Sequence, residues 1–308
     1  MQTHKYWAYG LKIESAMELP EMLPHQFTEE PDLKIELGPV PEDLTAPGSI
    51  REGDTSINAT EFILRLPIGR YLATNGNKIT VEMFPNADDK SIRLFLLSSA
   101  MPAIIHQRNK ICIHAGAIVV KKELVLICGD SGAGKSTTIS ALMQKGHQIF
   151  SDDVCVLNPP ASTENTIDAY PSYRVVKLWE DSLEKLDQLN EKSYENKLRP
   201  LVDKYLVKFE QELFPDPLPI KKLFILKKGD AVAAPSVQKL SQYQAFKSLL
   251  DNNYRPSLVE QLGLKNLTFE ILSQLAGKIE VLEITRPVNG NSIEDVIGLI
   301  QKNLPFSA

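Results

Sequence analysis

A glycine-rich run ending in lysine and serine is the part of this sequence best suited to chemistry. Residues 129–136 read Gly-Asp-Ser-Gly-Ala-Gly-Lys-Ser and match the pattern G-x-x-x-x-G-K-[ST], between an apolar segment and a helix-forming one. Such glycines let the backbone curl so that successive N–H groups point into one concavity, and the helix amino terminus favours phosphate there. The pattern therefore predicts a P-loop that binds ATP. The expected nucleotide-binding residues are Gly129, Asp130, Ser131, Gly132, Ala133, Gly134, Lys135, Ser136 and Thr137.

The last residues of this run have separate expected roles. We expect Lys135 to reach the β- and γ-phosphates and the hydroxyl of Ser136 to bind Mg²⁺. The alternative is a glycine-rich turn that merely connects a strand to a helix. Because lysine and serine are in register with both flanking elements, the nucleotide-binding interpretation is favoured.

Two adjacent acids, Asp152 and Asp153, end the apolar segment that follows the predicted helix. Adjacent strand residues point to opposite faces, so one carboxylate can hold a metal ion while the other accepts a proton from an attacking hydroxyl. An Asp-Asp pair at a strand end is also typical of a solvated turn. The residues alone leave both interpretations open.

A histidine, His114, lies in the apolar run 111–117. We expect this run to be a strand that pairs with the strand before the glycine-rich loop. A histidine in such a strand is often a buried structural residue, and it can equally be a proton carrier. The sequence alone does not choose between the two.

The elements that must position these residues follow from the apolar pattern. Residues 111–119 and 123–128 predict a hairpin joined by Lys121-Lys122, the stretch 136–145 predicts a helix closed by Gly146, and 148–157 predicts the next strand. This order of strand, loop, helix and strand predicts an α/β core with a ligand at the carboxyl end of the first strand.

The amino-terminal part has a different character. Short alternating runs between residues 5 and 88 predict strands, with a hairpin turn at Asn75-Gly76. A helical spacing over 91–107 predicts a helix that joins the two parts. We therefore expect a β-rich module over residues 1–90 and a P-loop domain over 91–308.

Further elements are predicted towards the carboxyl terminus. The spacing indicates helices near 178–189, 258–276 and 293–303 and core strands near 222–227 and 279–284. The stretch 190–219 mixes charges, aromatics and prolines, and is long enough to be an insertion that faces a substrate.

Composition excludes several classes of protein. With 43% hydrophobic and 24% charged residues, the chain of 308 residues has the composition of a soluble globular protein. A net charge of -5 argues against nucleic-acid binding. There is no apolar stretch long enough to span a membrane and no signal peptide, so we expect a cytoplasmic protein. The three cysteines lack CxxC spacing, which argues against disulfides and zinc.

Several of these motifs together resemble the catalytic core of the HPr serine kinase/phosphorylase family. The resemblance rests on four runs in the same order and spacing: His114-Ala-Gly-Ala, residues 129–136, Lys145-Gly-His147 and Ser151-Asp152-Asp153. It implies an ATP- and Mg²⁺-dependent kinase with a P-loop core, and it suggests an oligomer. In site roles, it implies that Asp152 is the base, that His114 assists it, and that Asp153 binds magnesium with Ser136.

The chain departs from the bacterial HPr kinases after this core. In place of their glycine-rich signature it has residues 169–179, from Ala169 to Trp179. Both HPr as the acceptor and the reverse phosphorolysis are therefore open. Together with Tyr9-Gly10-Leu11 and Glu18-Leu19-Pro20, this segment resembles HPr-kinase homologues that phosphorylate the precursors of lasso peptides. A proline-kinked turn leading to a core tryptophan is the alternative interpretation.

Basic residues near this segment are candidates for holding substrate or phosphate charge, although such residues are often merely solvated surface. They are Arg174, Lys177, Lys197 and Arg199.

Three functions remain as hypotheses. The preferred one is an ATP-dependent kinase that phosphorylates a serine hydroxyl of a peptide, of the lasso-precursor kind. A kinase acting on HPr or another small protein keeps the chemistry and changes the acceptor. An ATP-binding regulator without phosphoryl transfer belongs to another class; the two acids and His114 argue against it, since pure binding needs no base.

Overall fold

The computed structural model describes residues 3–85, 87–158, 166–188, 191–193, 196–199, 202–210, 212, 214, 216–230 and 232–305. The chain forms two compact units, residues 1–112 with 254–268 and residues 113–253 with 269–308. Both contain helices and extended sheets, which confirms the mixed α/β class. Residues 91–112 lie with the first unit; the domain boundary at residue 90 stays a prediction, because compactness does not itself define a domain. In the described part of the chain, no helix is long and apolar enough to cross a membrane.

The first unit is built on one nine-stranded sheet in the order β3-β1-β2-β4-β9-β8-β7-β6-β5. Alternation of buried and partly exposed side chains is clear in β8, where Tyr71 and Ala73 face the core. The predicted hairpin turn at Asn75-Gly76 joins β8 to β9. The strands are β1 His4–Ala8, β2 Leu11–Ser15, β3 Leu23–Pro24, β4 Leu33–Leu37, β5 Ile50–Glu52, β6 Thr55–Ile57, β7 Glu61–Leu66, β8 Gly69–Thr74 and β9 Lys78–Met83.

The helix predicted over residues 91–107 is present as three consecutive segments. They are α1 Asp89–Phe95, a π-helical turn Leu96–Ala100 and α2 Met101–Gln107. The side chain of Asp88 caps α1 by accepting a hydrogen bond from Ser91 N at 2.8 Å. Helix α6, Pro256–Gln261, also lies in this unit, while β10, Ile111–Ile113, ends where the second unit begins.

The second unit contains a larger mixed sheet and a small one. Strands run in the order β14-β15-β19-β12-β11-β13, with β21 beside β19 and β20 beside β21, and β16-β18-β17 form the small sheet. Strands β12, β19 and β21 are parallel neighbours. The strands are β11 Gly116–Val120, β12 Glu123–Gly129, β13 Gln148–Ser151, β14 Cys155–Asn158, β15 Asp168–Pro171, β16 Val175–Trp179, β17 Lys197–Arg199, β18 Val202–Lys208, β19 Leu218–Gly229, β20 Ser236–Lys239 and β21 Glu280–Pro287.

Helices of this unit pack against the sheet through buried aliphatic residues such as Ile139 of α3 and Ile297 of α8. Helix α3 ends near Gly146, whose φ of 87° confirms the predicted helix stop. The helices are α3 Lys135–Gln144, α4 Glu180–Lys185, α5 Gln242–Asp251, α7 Lys265–Lys278, which begins in the first unit, and α8 Ile293–Lys302.

Two predicted helices differ from those observed. The helix expected over 178–189 is shorter, because Leu178 and Trp179 belong to β16, which pairs with β18, and α4 begins at Glu180. The helix expected over 258–276 is divided into α6 and α7 by Gly263, whose φ is 71°. Part of the predicted insertion over 190–219 lies outside the described residues, and the described part includes β17 and β18.

Candidate functional site

The glycine-rich loop begins where β12 meets its parallel neighbour most closely. Gly129 has a φ of 144°, and a Cβ there would lie 2.4 Å from the carbonyl oxygen of Leu226 in β19. The N–H of Gly129 donates to Oδ1 of Asn252 at 3.0 Å, which anchors the start of the loop. Since a side chain at position 129 would collide with backbone, the pattern requires glycine here for steric reasons.

The loop ends at Gly134, which caps α3 with a φ of 107° and no side-chain hydrogen bond. The first N–H groups of a helix have no partner within the helix. A capping residue without a side chain leaves them facing the loop, where an anion can accept from them. The turn between β12 and α3 therefore has the backbone form expected of an anion-binding loop.

The side chain of Lys135 is folded into this loop. Its Nζ donates to the carbonyl oxygens of Gly129, at 2.5 Å, and Asp130, at 3.2 Å, and the residue is 8% exposed. Burial lowers the pKa of Lys135. The ammonium group thus lies at the loop in the ligand-free chain and is held by backbone oxygens.

The strand predicted over 148–157 is interrupted at the two acids. Strand β13 ends at Ser151, and β14 starts at Cys155. Between them Asp153 has a φ of 72°, and the N–H of Val154 donates to the carbonyl of Asp152 at 2.9 Å. This tight left-handed turn, rather than the alternation of a strand, decides where the two carboxylates point.

Asp152 is buried at the start of α3. It is 1% exposed, and its Oδ2 accepts from the Ser136 hydroxyl at 3.1 Å and from the backbone N–H of Lys177 at 3.2 Å. Burial, and then the neighbouring charge of Asp153, raise the pKa of Asp152. Asp152 and Ser136 thus form one oxygen-rich pair.

Asp153 lies in a second group of polar residues. Its Oδ2 accepts from Nζ of Lys177 at 2.6 Å and from the hydroxyl of Tyr173 at 3.1 Å, while its Oδ1 is 3.3 Å from Nε2 of His114. Burial alone would raise the pKa of Asp153, but Lys177, and then His114, hold it well below its usual range. The contacts join His114 to Asp153 and Ser136 to Asp152, the reverse of the pairing implied by the family resemblance.

His114 lies outside the strand in which the sequence placed it. It falls between β10 and β11, and its N–H donates to the carbonyl of Asn252 at 2.7 Å. The predicted continuous strand over 111–119 is therefore wrong at this point. Its side chain is 36% exposed and faces a cavity, so His114 is accessible to a ligand rather than a buried structural residue.

A cavity of about 350 Å³ joins the loop to these polar residues. Lys177 is the predicted substrate residue that lines it. Arg174 does not line it, and Lys197 pairs with Asp203 at 2.9 Å. Arg199 lies in β17, but its side chain is outside the described part. The lining residues are His114, Ser131, Gly132, Gly134, Lys135, Ser136, Thr137, Thr138, Asp153, Lys177, Trp179, Asp181, Ser182, Lys185, Lys204, Lys228, Arg286, Val288, Gly290, Asn291, Ser292, Ile293 and Val296.

Four cations of the cavity were missed in the sequence. Lys185 comes from the last turn of α4. Lys204 comes from β18, and Lys228 and Arg286 are register partners near the ends of β19 and β21. Each of the last two follows a predicted core strand that runs parallel to β12. The carboxyl ends of parallel strands meet at one edge of a sheet, and this rule would have selected Lys228 and Arg286. Lys204 belongs to a segment without such a signal.

Trp179 is not the core tryptophan of the alternative interpretation. It is 44% exposed, lines the cavity, and has Nζ of Lys204 at 5.3 Å from its ring centroid. A cation over an indole face is a favourable arrangement at a partly exposed site. The Trp179 and Lys204 side chains thus form one wall of the cavity on the side of β16 and β18.

Comparisons with known proteins found a relative by sequence and a solved structure with partial overlap. No family model matches the chain. Over 88 residues it is 30% identical to the HPr kinase/phosphorylase of Lactobacillus acidophilus, a match that covers 29% of this chain and 27% of that protein. The structure titled Hpr(Ser) kinase/phosphatase from Coxiella burnetii overlaps 62% of this chain and 88% of its own, at 17% identity and a TM-score of 0.30. The sequence match confirms the resemblance to the HPr kinase/phosphorylase family, and it spans about a quarter of that relative's length.

Proposed function

We propose that this chain is an ATP- and Mg²⁺-dependent kinase that transfers a phosphoryl group to a serine hydroxyl. The observation that carries the proposal is the meeting of three features at one cavity: the glycine-rich loop with buried Lys135, the hydroxyl of Ser136, which donates to the buried Asp152, and the His114–Asp153 pair. Each supplies a different requirement of phosphoryl transfer, namely binding of phosphates, binding of a metal ion, and removal of a proton. The similarity to HPr kinase/phosphorylase supports the same reaction class.

The loop residues 129–137 hold the triphosphate in this proposal. Backbone N–H groups at the start of α3 donate to phosphate oxygens, and Lys135 exchanges its carbonyl partners for the phosphates. The lysine need travel little, since its ammonium already lies at the loop. Such a site works by positioning and by neutralising charge rather than by covalent chemistry.

The Ser136–Asp152 pair fits a magnesium ion. A hydroxyl and a carboxylate 3.1 Å apart are hard oxygen donors, and Mg²⁺ is usually bound by one or two such protein groups together with water and substrate phosphates. The described residues contain no cluster of three or more His, Cys, Asp or Glu side chains, so they offer no complete protein cage for a metal. When bound, the ion would neutralise charge on the phosphates. The family resemblance assigned magnesium to Asp153, but the carboxylate oxygens of Asp153 contact Lys177 and His114.

The His114–Asp153 pair is the better placed proton acceptor. Asp153 fixes the imidazole through Nε2, and Lys177 keeps the carboxylate ionised. In the transfer, the serine oxygen forms a bond to the γ-phosphorus while the bond from that phosphorus to the β,γ-bridging oxygen breaks. ADP leaves, and the hydroxyl proton passes to the pair. Asp152 as the base assisted by His114, the assignment from resemblance, is the competing proposal.

We propose two candidates for the molecule that accepts the phosphoryl group. A serine of a lasso-type precursor peptide is preferred, on the resemblance of residues 169–179, and HPr or another small protein is the alternative. Cytoplasmic location, a homo-oligomeric state, and the absence of nucleic-acid and membrane partners complete the proposal. A regulator that binds ATP without transfer is the second class of function.

Transfer of label from γ-labelled ATP with Mg²⁺ to HPr and to serine-ended precursor peptides, read by mass spectrometry, tests the function. Asp152→Asn and Asp153→Asn are compared with Asp295→Asn, an exposed acid on α8 that does not line the cavity. Labelled serine that is lost in both site variants and kept in Asp295→Asn supports the kinase. Slow ATP hydrolysis without a labelled acceptor favours the regulator.

The same variants separate the two assignments of the acids. If Asp152 holds the metal, Asp152→Asn raises the Mg²⁺ concentration needed for half-maximal rate, and Asp153→Asn lowers turnover at saturating Mg²⁺. The reverse pattern would support Asp152 as the base.

A further inference from the structure

The end of β21 and the segment that follows it form one side of the cavity beside the glycine-rich loop. We call residues 286–293 the β21 rim. Six of them line the cavity, and they share it with Gly132 and Gly134 of the loop. The six are Arg286, Val288, Gly290, Asn291, Ser292 and Ile293. None of the proposed phosphate, metal or proton-transfer residues belongs to the β21 rim, so its role is not explained by them.

Arg286 joins the β21 rim to the loop. Its Nε donates to the carbonyl of Ala133 at 3.0 Å, its Nη2 to that of Gly132 at 3.5 Å, and its Nη1 to that of Pro287 at 3.0 Å. These bonds lie in the plane of the guanidinium and fix that plane. They also satisfy the carbonyls of Ala133 and Gly132 in the loop. A guanidinium engaged through its edges can still stack a planar ring on its face.

The remaining residues of the β21 rim offer an apolar contact and a polar edge. Val288 is 40% exposed, and a Cβ built on Gly290 meets no atom within 4 Å, so the surface there is open. Oδ1 of Asn291 accepts from the N–H of Ile293 at 3.2 Å, which fixes the side chain at the start of α8. Among the described residues, its amide nitrogen has no acceptor, so it can donate to a ligand. A flat cation, an aliphatic side chain and an amide donor together suit a heteroaromatic ring.

The position of the β21 rim agrees with this chemistry. Asp153, His114 and Lys177 line the cavity together with Ser136, whose hydroxyl is bonded to the buried Asp152, and we place the reacting phosphate there. The β21 rim lies against Gly132 and Gly134 of the loop instead, through Arg286. A nucleotide whose phosphates occupy the loop must extend its nucleoside away from the acceptor, and the β21 rim offers a surface for it.

We propose that the β21 rim is the nucleobase site, which stacks the base on Arg286 and Val288 and hydrogen-bonds its edge through Asn291. This inference rests on the proposed binding of ATP at the glycine-rich loop. It assigns to Arg286 a positioning role for the loop together with a contact to the base. It also predicts that the base contributes to affinity independently of the phosphates.

The test compares ATP with inorganic tripolyphosphate, which has the phosphates without a nucleoside. Calorimetric titration of the full chain with each ligand gives two dissociation constants per variant. In Val288→Asn, we expect ATP to bind about fivefold or more weakly, and tripolyphosphate to bind within about twofold of the unaltered chain. Leu250→Asn is the matched control, since Leu250 is 46% exposed, lies on α5 and does not line the cavity.

Each other outcome is informative. Unchanged ATP affinity in Val288→Asn overturns the nucleobase site, and so does an equal loss for both ligands, which would place phosphate rather than base at the β21 rim. If the unaltered chain binds tripolyphosphate as tightly as ATP, the base makes no contact and the inference fails while the loop stands. If it binds neither ligand, the proposed function itself fails, and the nucleobase site with it.

Discussion

The ammonium of Lys177 lies 2.6 Å from Oδ2 of Asp153, and the two side chains are 11% and 16% exposed. Because this ion pair is shielded from water, removing one partner leaves a buried charge uncompensated. We expect Lys177→Ala to lower the free energy of unfolding by about 3–5 kcal/mol in urea denaturation.

The matched control is Lys185→Ala, which removes the solvent-exposed pair between Lys185 and Asp181 at 3.1 Å and should cost less than about 1 kcal/mol. Equal effects of the two substitutions would show that the Lys177–Asp153 pair is hydrated in solution. Removing both partners in Lys177→Ala/Asp153→Ala should recover part of the stability lost in Lys177→Ala, since no unpaired charge is left.

Asp152 should destabilise the ligand-free protein at neutral pH. Its pKa is raised by burial and by Asp153, so the folded state binds the proton more tightly than the unfolded state does. Stability from this group is fully present below the unfolded pKa, about 3.9, and is lost as the pH rises through the folded pKa. Without nucleotide and Mg²⁺, Asp152→Asn should therefore raise the Tm at pH 7, and the gain should vanish as the pH approaches 4.

Asp43 provides a control in which the pKa shift, and so the effect on stability, has the opposite sign. Its hydrogen bond from Ser56 holds the pKa of Asp43 at about 2, so its contribution is present above the unfolded pKa and is lost as the pH falls towards 2. Asp43→Asn should therefore lower the Tm at pH 7. A lower Tm for Asp152→Asn at that pH would contradict the assignment of Asp152 as a strained, buried charge.

Ser136 should set the magnesium requirement of the reaction. Its hydroxyl is bonded to Asp152, and its loss removes one oxygen donor of the proposed metal pair. We expect chelation of Mg²⁺ to abolish transfer, and Ser136→Ala to raise the Mg²⁺ concentration for half-maximal rate by about tenfold. Ser140 lies on the same helix as Ser136, and its buried hydroxyl donates to the side chain of Gln188. Ser140→Ala should leave the required Mg²⁺ concentration unchanged.

Gly116 should not tolerate a methyl group. A Cβ at this position would lie 2.4 Å from Cγ1 of Ile139, a fully buried side chain of α3, and 3.5 Å from Oδ1 of Asp152. Since the core cannot yield there, Gly116→Ala should destabilise the protein by about 1–3 kcal/mol and slow transfer by moving Asp152. Gly298→Ala, in open space on α8, should instead stabilise it by about 0.5–1 kcal/mol. Thermal unfolding and kcat measure the two effects.

The local patterns of the sequence predicted most of the elements around the site. Residues 129–136 indicated the turn between β12 and α3, because glycine at 129 and 134 is demanded by a close approach and by positive φ angles. The apolar runs indicated β12, β19 and β21, because strands buried in a core consist largely of apolar residues. These features depend on residues close in the chain, so composition and spacing suffice to find them.

The pairing of the two acids could not be predicted in this way. It depends on the left-handed turn at Asp153, on Lys177 from β16, and on the loop that places His114 beside Asn252. The contacts of Lys177 and of Asn252 are not local in sequence. The alternation rule for strands predicted opposite faces for Asp152 and Asp153, and the turn overrides it. Arg286 donates to a backbone carbonyl more than a hundred residues away, so only its place at the end of a core strand could have indicated it.

The left-handed turn at Asp153 makes the geometry of the site depend on the number of residues between β13 and β14, as well as on which residues they are. Residues 152–154 take both carboxylates out of the alternation of β13 and β14. Deleting one of them would shift β14 by one residue against its partner β15, and we expect its side chains to move to the opposite face of the sheet. Single substitutions can spare this arrangement, whereas a one-residue insertion or deletion cannot. Homologous chains that keep the chemistry should therefore vary here in residue type and not in residue number.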